Sequence, residues 1–211
     1  MMRGAILWLL WVGGGFLTGG IMFSQLIPRL MIKKDVYRES SDHNPGAANV
    51  FQLCRVPLGI VCLLLDLLKG FLPVYFAKNV LDISSPYFAF MIAAPVVGHA
   101  VGVFNHFHGG KCIAAAFGVL AGLIPETWMI ALLAGLYIFF CLFVRDKPMQ
   151  TRSLIVFLLF GLGSLIYLAA TGRFSLGIGC GGIGAVAAYR HWKPGQTKSS
   201  LGKELLPCRK S

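Results

Sequence analysis

Charge is scarce in this sequence. Of its 211 residues, 13% are Asp, Glu, Lys or Arg, about half the share of a soluble domain. With 56% hydrophobic residues and a mean hydropathy of +0.73, the chain reads as an integral membrane protein rather than a water-soluble domain. Acid is scarcest of all: 8 acidic against 19 basic residues leave a net charge of +11. In a membrane chain that excess is read by position, as an orientation signal and an attraction for acidic headgroups. Nucleic-acid binding is the weaker explanation, and none is expected. The cysteines (Cys54, Cys62, Cys112, Cys141, Cys180, Cys208) form no C-x-x-C pair and read as buried or reduced thiols. No Gly-x-Ser-x-Gly elbow, P-loop, Rossmann signature or His-x-x-x-x-Asp pair is present. The sequence therefore offers no activated serine, nucleotide site or redox cofactor site, and no cofactor is expected. No small-residue cleavage site follows the first apolar run, so that run reads as a retained span.

Apolar segments are what the chain has in abundance. Seven can be marked, at about 4–28, 56–77, 86–104, 112–124, 126–144, 153–171 and 174–189. A full span takes about 20 apolar residues, and five qualify comfortably. The 112–124 segment is short, so it is expected to pinch the bilayer surface or lie buried among its neighbours. The last segment carries Gly177, Gly179, Gly181, Gly182 and Gly184, the pattern of a close-packing helix face or of a weak, flexible span. The expected architecture is all-α, one domain over 1–211, a bundle of seven transmembrane helices.

Positive residues then set orientation. Arg29, Lys33, Lys34, Arg38, Arg55, Lys111, Arg145, Lys147, Arg152, Arg190, Lys193, Lys198, Lys203, Arg209 and Lys210 fall on one side, 15 of the 19; Arg3, Lys78 and Arg173 fall on the other, and Lys69 lies inside a span. The positive-inside rule puts the N-terminus outside and the C-terminus in the cytoplasm. Every polar, motif-like stretch then lies on the cytoplasmic side.

Three stretches carry chemistry. In the first loop, Arg38 can fork onto a phosphate, Asn44 and Asn49 are planar donor–acceptors, and Gly46 permits a tight turn; an ordinary polar loop is the plainer alternative. Inside the second span, Asp66 and Lys69 share a helix face and can pair. Charge at that depth usually faces the bundle interior, where Lys69 could also serve an anionic substrate. Gly70 and Pro73 are expected to loosen the helix there. The third stretch runs from Gly98-His99 to Gly109-Gly110-Lys111. Paired glycines, a helix start and a lysine suggest a phosphate site; a Gly-rich turn meeting lipid headgroups is the alternative. A metal set built from His99, His106 and His108 lacks a completing cysteine or carboxylate, and no metal is expected. In the tail stand Arg190-His191 and Gly202-Lys203-Glu204. Arg190 by itself reads as a snorkelling interfacial anchor.

Taken together, these blocks resemble the bacterial membrane acyl-phosphate:glycerol-3-phosphate acyltransferases of the PlsY type. The Arg38…Asn44-Pro-Gly-Ala-Ala-Asn49 block is similar to that family's first motif, Asp66-Leu-Leu-Lys69-Gly70-x-x-Pro73 to its second, and Gly98-His99…Phe104…Phe107-x-Gly109-Gly110-Lys111 to its third. Ser41-Asp42-His43 stands where the family has Gly-Ser-Gly, and Cys112 where it has a glycine. Asp42 would repel a ligand phosphate unless Arg38 or a lysine compensates. The resemblance implies a multi-pass enzyme of the bacterial cytoplasmic membrane. It would transfer a fatty acyl group from acyl phosphate to the sn-1 hydroxyl of glycerol 3-phosphate, giving lysophosphatidic acid and phosphate. It further implies His99, Lys69 and Lys111 as catalytic residues. Arg38, Asn44, Gly46, Asn49, Asp66, Gly109, Gly110, His191 and Glu204 would bind substrate. The partners would be the two substrates and membrane lipids; no feature specifies an oligomeric state. The donor's own phosphate would take the hydroxyl proton, with His99 as the alternative base. Two other readings stay open: a non-catalytic or substrate-altered relative acting as a membrane scaffold, and a small-anion transporter with a midplane Asp66/Lys69 site.

Overall fold

The structure, a computed structural model, describes residues 2–192. Its regular elements are all helical: α1 (Met2–Gly20), α2 (Phe23–Ile32), α3 (Val36–Glu39), α4 (Ala47–Leu53), α5 (Val56–Ala77), α6 (Phe88–Val101), α7 (Ile113–Gly122), α8 (Met129–Phe143), α9 (Met149–Ala170) and α10 (Phe174–Trp192). Among the described residues, Val56–Ala77, Phe88–Asn105 and Met149–Ala170 are long and apolar enough to cross a membrane. The bent pair formed by α1 and α2 adds a fourth if it is one span. α7 and α8 are apolar but only 10 and 15 residues long.

The expected continuous span 4–28 is broken. The helix stops at Gly20 and restarts at Phe23, with a 46° bend between the pieces. Hydropathy does not register the break because both flanks are apolar. Side chains of another helix make it tolerable: Lys69 Nζ donates to the freed Ile21 carbonyl, and Ser24 Oγ donates to Asp66 Oδ2 at 2.5 Å. In hydrocarbon an unpaired carbonyl costs several kcal/mol, so such partners decide whether a helix can break. A second correction concerns α5, which runs unbroken through Gly70 and Pro73. Gly70 serves contact rather than looseness: a Cβ there would lie 2.5 Å from the Ala115 carbonyl oxygen of α7.

Close crossings of this kind hold the bundle together. Lipid tails are as apolar as leucine, so helices in a membrane gain little from hydrophobic burial and associate through fit between small residues. A Cβ on Gly118 would strike the Leu67 carbonyl across the α5–α7 crossing, and one on Gly184 would lie 2.5 Å from Gly161 Cα across α9–α10. The glycines of α10 are thus a packing face. Around these crossings Phe88, Met91 and Ile92 of α6 pack in one cluster with Phe157 and Phe160 of α9 and Ile183 of α10, all fully buried. Leu9 and Leu10 of α1, Leu64 and Phe76 of α5, Phe143 of α8 and Ile166 of α9 are exposed. Such an apolar girdle suits lipid and is unsuited to water.

Candidate functional site

The polar stretches converge at one end of the bundle, around a cavity of about 680 Å³. This is within the usual range of ligand pockets, about 300–1,000 Å³. Its polar wall comes from the loop before α4 (Asp42, Asn44, Gly46), α4 itself (Asn49), the end of α6 (His99), the turn before α7 (Lys111, Cys112), the start of α9 (Gln150, Ser153) and the end of α10 (His191). Its deeper wall is apolar, with Leu63 and Leu67 of α5, Phe117 of α7 and Ile130 of α8. A separate groove of about 450 Å³ between α1 and α5 is lined by apolar side chains and Thr18, without charged groups.

The third sequence stretch folds into the centre of this wall. α6 ends at Gly102, whose φ of 65° is left-handed. The chain then loops back so that Gly110 N–H donates to the His99 carbonyl at 3.0 Å. A Cβ on Gly109 would enter the Ala100 carbonyl, and one on Gly110 would enter the His99 ring. The paired glycines therefore let the turn press against the end of α6. This corrects the expectation that the Gly110 N–H cradles a phosphate, because that donor is already bonded. Other backbone donors lie a few residues further on. α7 starts after Cys112, which has φ 67° and makes no side-chain cap, so the N–H groups of Ile113 and Ala114 have no partner within the helix. Both residues line the cavity, beside Lys111. A helix start carries partial positive charge, and Lys111 adds a full one.

Arg190 fixes the turn from the other side. Its Nε donates to the Gly110 carbonyl at 3.0 Å and its NH2 to the Gly109 carbonyl at 2.5 Å. From the sequence Arg190 reads as a lipid anchor, since contacts spanning 80 residues leave no local trace. The available signal was its place beside His191.

The first loop presses Asp42 against Lys111, with Asp42 Oδ2 accepting from Lys111 Nζ at 2.7 Å. Asn49 Nδ2 donates to Asp42 Oδ1 at 2.8 Å and to the Asn44 carbonyl at 2.7 Å. Partial burial pushes the Asp42 carboxyl up, but the Lys111 hydrogen bond and charge, with Asn49, outweigh it and hold it below its ordinary value. The compensating cation is thus Lys111. Arg38, expected to fork onto a phosphate, has its side chain 84% exposed and paired with Asp35 at 3.7 Å. The structure leaves it outside the cavity.

Lys69 is also outside the cavity wall. Its Nζ lies 2.8 Å from Asp66 Oδ1, and the pair is buried; its other partner is the Ile21 carbonyl at the helix break. Asp66 lines the cavity. His191 stacks on Phe157 with ring centroids 5.9 Å apart, while Gln150 Nε2 holds its carbonyl at 2.8 Å. Glu204 lies outside the described residues. His106 and His108 are exposed at the loop, apart from buried His99. Asn44, Asn49, His99, Lys111 and His191 thus sit together on one wall of the cavity. A few convergent polar groups in an otherwise apolar pocket suit a ligand with a polar end.

Comparison with known proteins points the same way. The sequence profile of glycerol-3-phosphate acyltransferase matches residues 9–197. A glycerol-3-phosphate acyltransferase of Serratia proteamaculans (strain 568) is 36% identical over 129 residues, 58% of this chain and 60% of that protein. One from Myxococcus xanthus (strain DK1622) is 40% identical over 126 residues, 59% of this chain and 65% of that protein. The matched stretch thus spans about three fifths of these curated relatives. Among solved structures, the crystal structure of PlsY (YgiH), an integral membrane glycerol 3-phosphate acyltransferase, superposes in its glycerol 3-phosphate form with a TM-score of 0.72 at 28% identity, covering 87% of this chain and 88% of that one. The lysophosphatidic acid form gives a TM-score of 0.69, covering 88% of each chain.

Proposed function

This chain belongs to the glycerol-3-phosphate acyltransferase family, and on that premise we propose that it moves a fatty acyl group from acyl phosphate to the sn-1 hydroxyl of glycerol 3-phosphate. The products are lysophosphatidic acid and inorganic phosphate. The observation that carries this reading is the cavity, lined by Lys111, Asn44, Asn49, His99 and His191 at one end and by an apolar wall at the other. A phosphate and a glycerol hydroxyl suit the first, and an acyl chain suits the second. The relatives support the substrate class. The finer arrangement belongs to the same proposal: seven membrane segments, N-terminus outside, in a bacterial cytoplasmic membrane, with the cavity mouth on the cytoplasmic side.

Acyl phosphate is a mixed anhydride with a good leaving group, so no protein nucleophile is needed. The acceptor oxygen attacks the acyl carbon, and the carbon–oxygen bond to phosphate breaks. Lys111 and the Ile113 and Ala114 N–H groups stabilise the negative charge that develops. Holding both substrates in one cavity supplies much of the rate. His99, on the cavity wall, accepts the hydroxyl proton. Asn44, Asn49, Gly46 and His191 shape the polar end, while Asp66, Gly109 and Gly110 hold its walls. Lys69 acts one step removed, through Asp66. The test uses purified protein with palmitoyl phosphate: phosphate should be released only when glycerol 3-phosphate is present. Release without acceptor, or none with it, would overturn the reading. His99→Gln should lower kcat by about 100- to 10,000-fold, the usual worth of a general base, with KM little changed. A retained kcat would assign the proton to the departing phosphate.

A further inference from the structure

Two donors that a phosphate would need at this cavity are already bonded to the protein's own carboxylate. Asp42 Oδ2 takes Lys111 Nζ at 2.7 Å and Asp42 Oδ1 takes Asn49 Nδ2 at 2.8 Å. All three residues line the cavity. The Asp42 and Lys111 side chains are 29% and 18% exposed, so their pair stands at the mouth, between solvent and the deeper wall. A carboxylate with two oxygens on a lysine and an amide presents the hydrogen-bond pattern of an oxyanion ligand. Asn44, His99 and His191 complete the polar wall around it. The site thus has its anion supplied from within.

We propose that Asp42 is an internal counter-anion: it fills the Lys111–Asn49 subsite of the empty protein and is displaced by the phosphate group of an incoming substrate. It thereby sets the affinity of the site for phosphate monoesters. Exchange of one oxyanion for another keeps Lys111 neutralised throughout, which avoids an unpaired, half-buried cation. The same exchange weakens phosphate binding by the strength of the contact given up. An uncharged polyol cannot replace a carboxylate on a lysine, so the device favours charged acceptors. The identity of the substrate rests on the acyltransferase reading; the displacement itself requires only an oxyanion.

The experiment titrates inorganic phosphate into purified wild-type, Asp42→Asn and Asp42→Ser protein, following binding by calorimetry and melting temperature. Giving up a charge-assisted contact corresponds to about 10- to 150-fold in affinity, so both variants should bind phosphate tighter by a factor in that range. Adding Lys111→Met to either should abolish the gain. Folded variants that bind phosphate no tighter than wild type overturn the proposal, as does a gain that survives Lys111→Met. If neither variant folds, Asp42 is a structural strut and the proposal falls. Acyl transfer in the same preparations identifies the displacing group. KM falls for glycerol 3-phosphate if the acceptor phosphate takes the subsite, and for palmitoyl phosphate if the donor phosphate does. Tighter phosphate binding without transfer by any protein would sink the acyltransferase reading and leave the counter-anion. Robust wild-type transfer with unchanged phosphate affinity would do the reverse.

Discussion

Lys69 is held inside the bundle by two partners, the Asp66 carboxylate and the Ile21 carbonyl. A lysine within an apolar segment is costly, and its pairing with Asp66 was legible from the three-residue spacing. Its second partner was not: the Ile21 carbonyl lies 48 residues away at a break that hydropathy does not reveal. Lys69→Met would leave that carbonyl and the Asp66 carboxylate unpaired in a buried site. Breaking a buried pair from one side typically costs about 3–5 kcal/mol. We expect a marked drop in melting temperature for Lys69→Met, partly restored by Asp66→Asn in the double variant. An unchanged melting temperature with lost turnover would instead place Lys69 in the chemistry. Asp42 permits a pH prediction with a definite sign. Its carboxyl lies below the ordinary value in the folded protein. The pair with Lys111 therefore adds stability that is complete above the ordinary carboxylate pKa of about 3.9 and is lost as pH falls through the lower folded value. The difference in melting temperature between wild type and Asp42→Asn should be constant above about pH 5 and shrink below about pH 4.

At the scale of elements, α7 decides the shape of the site. At ten residues it is short for a membrane segment, and it packs along α5 through Gly70 and Gly118 with backbone nearly touching backbone. That contact sets how far Lys111 and the α7 start lie from Asp66 and Leu67 across the cavity. Gly118→Ala would push a methyl into the Leu67 carbonyl. Overpacking of this kind costs about 1–3 kcal/mol, and here its relief would move α7 away from α5. We expect lower thermal stability and a raised KM for both substrates. Gly13→Ala, where nothing lies within 4 Å, should be silent and is the control. A silent Gly118→Ala would mean the crossing is looser than its geometry. The shortness of the 112–124 segment was visible in sequence, as was the small-residue face of α10. Which helix each would meet was not, because glycines mark a capacity for close approach without naming the partner.

For the whole molecule, charge predicts topology. The polar cavity wall draws on six separate loops and helix ends, and positive charge, not the cavity, predicts which side of the membrane it faces. A reporter fused after Ser211 should be cytoplasmic, and one inserted beside Lys78 external; the opposite result would invert the arrangement. Composition alone determined that the chain is helical and belongs in a membrane, because low charge and long apolar runs leave the backbone no other way to satisfy its hydrogen bonds in hydrocarbon. Local spacing determined which polar residues matter, since such residues are too costly in lipid to be incidental. Three features were decided only by the tertiary structure: the break in the first segment, the exclusion of Arg38 and Lys69 from the cavity wall, and the engagement of Lys111 by Asp42. The break, the place of Lys69 and the engagement of Lys111 depend on partners 42 to 69 residues away, while Arg38 turns to the neighbouring Asp35. Pairings at that distance are fixed by how helices cross, and helix crossing leaves no periodicity for a sequence to show.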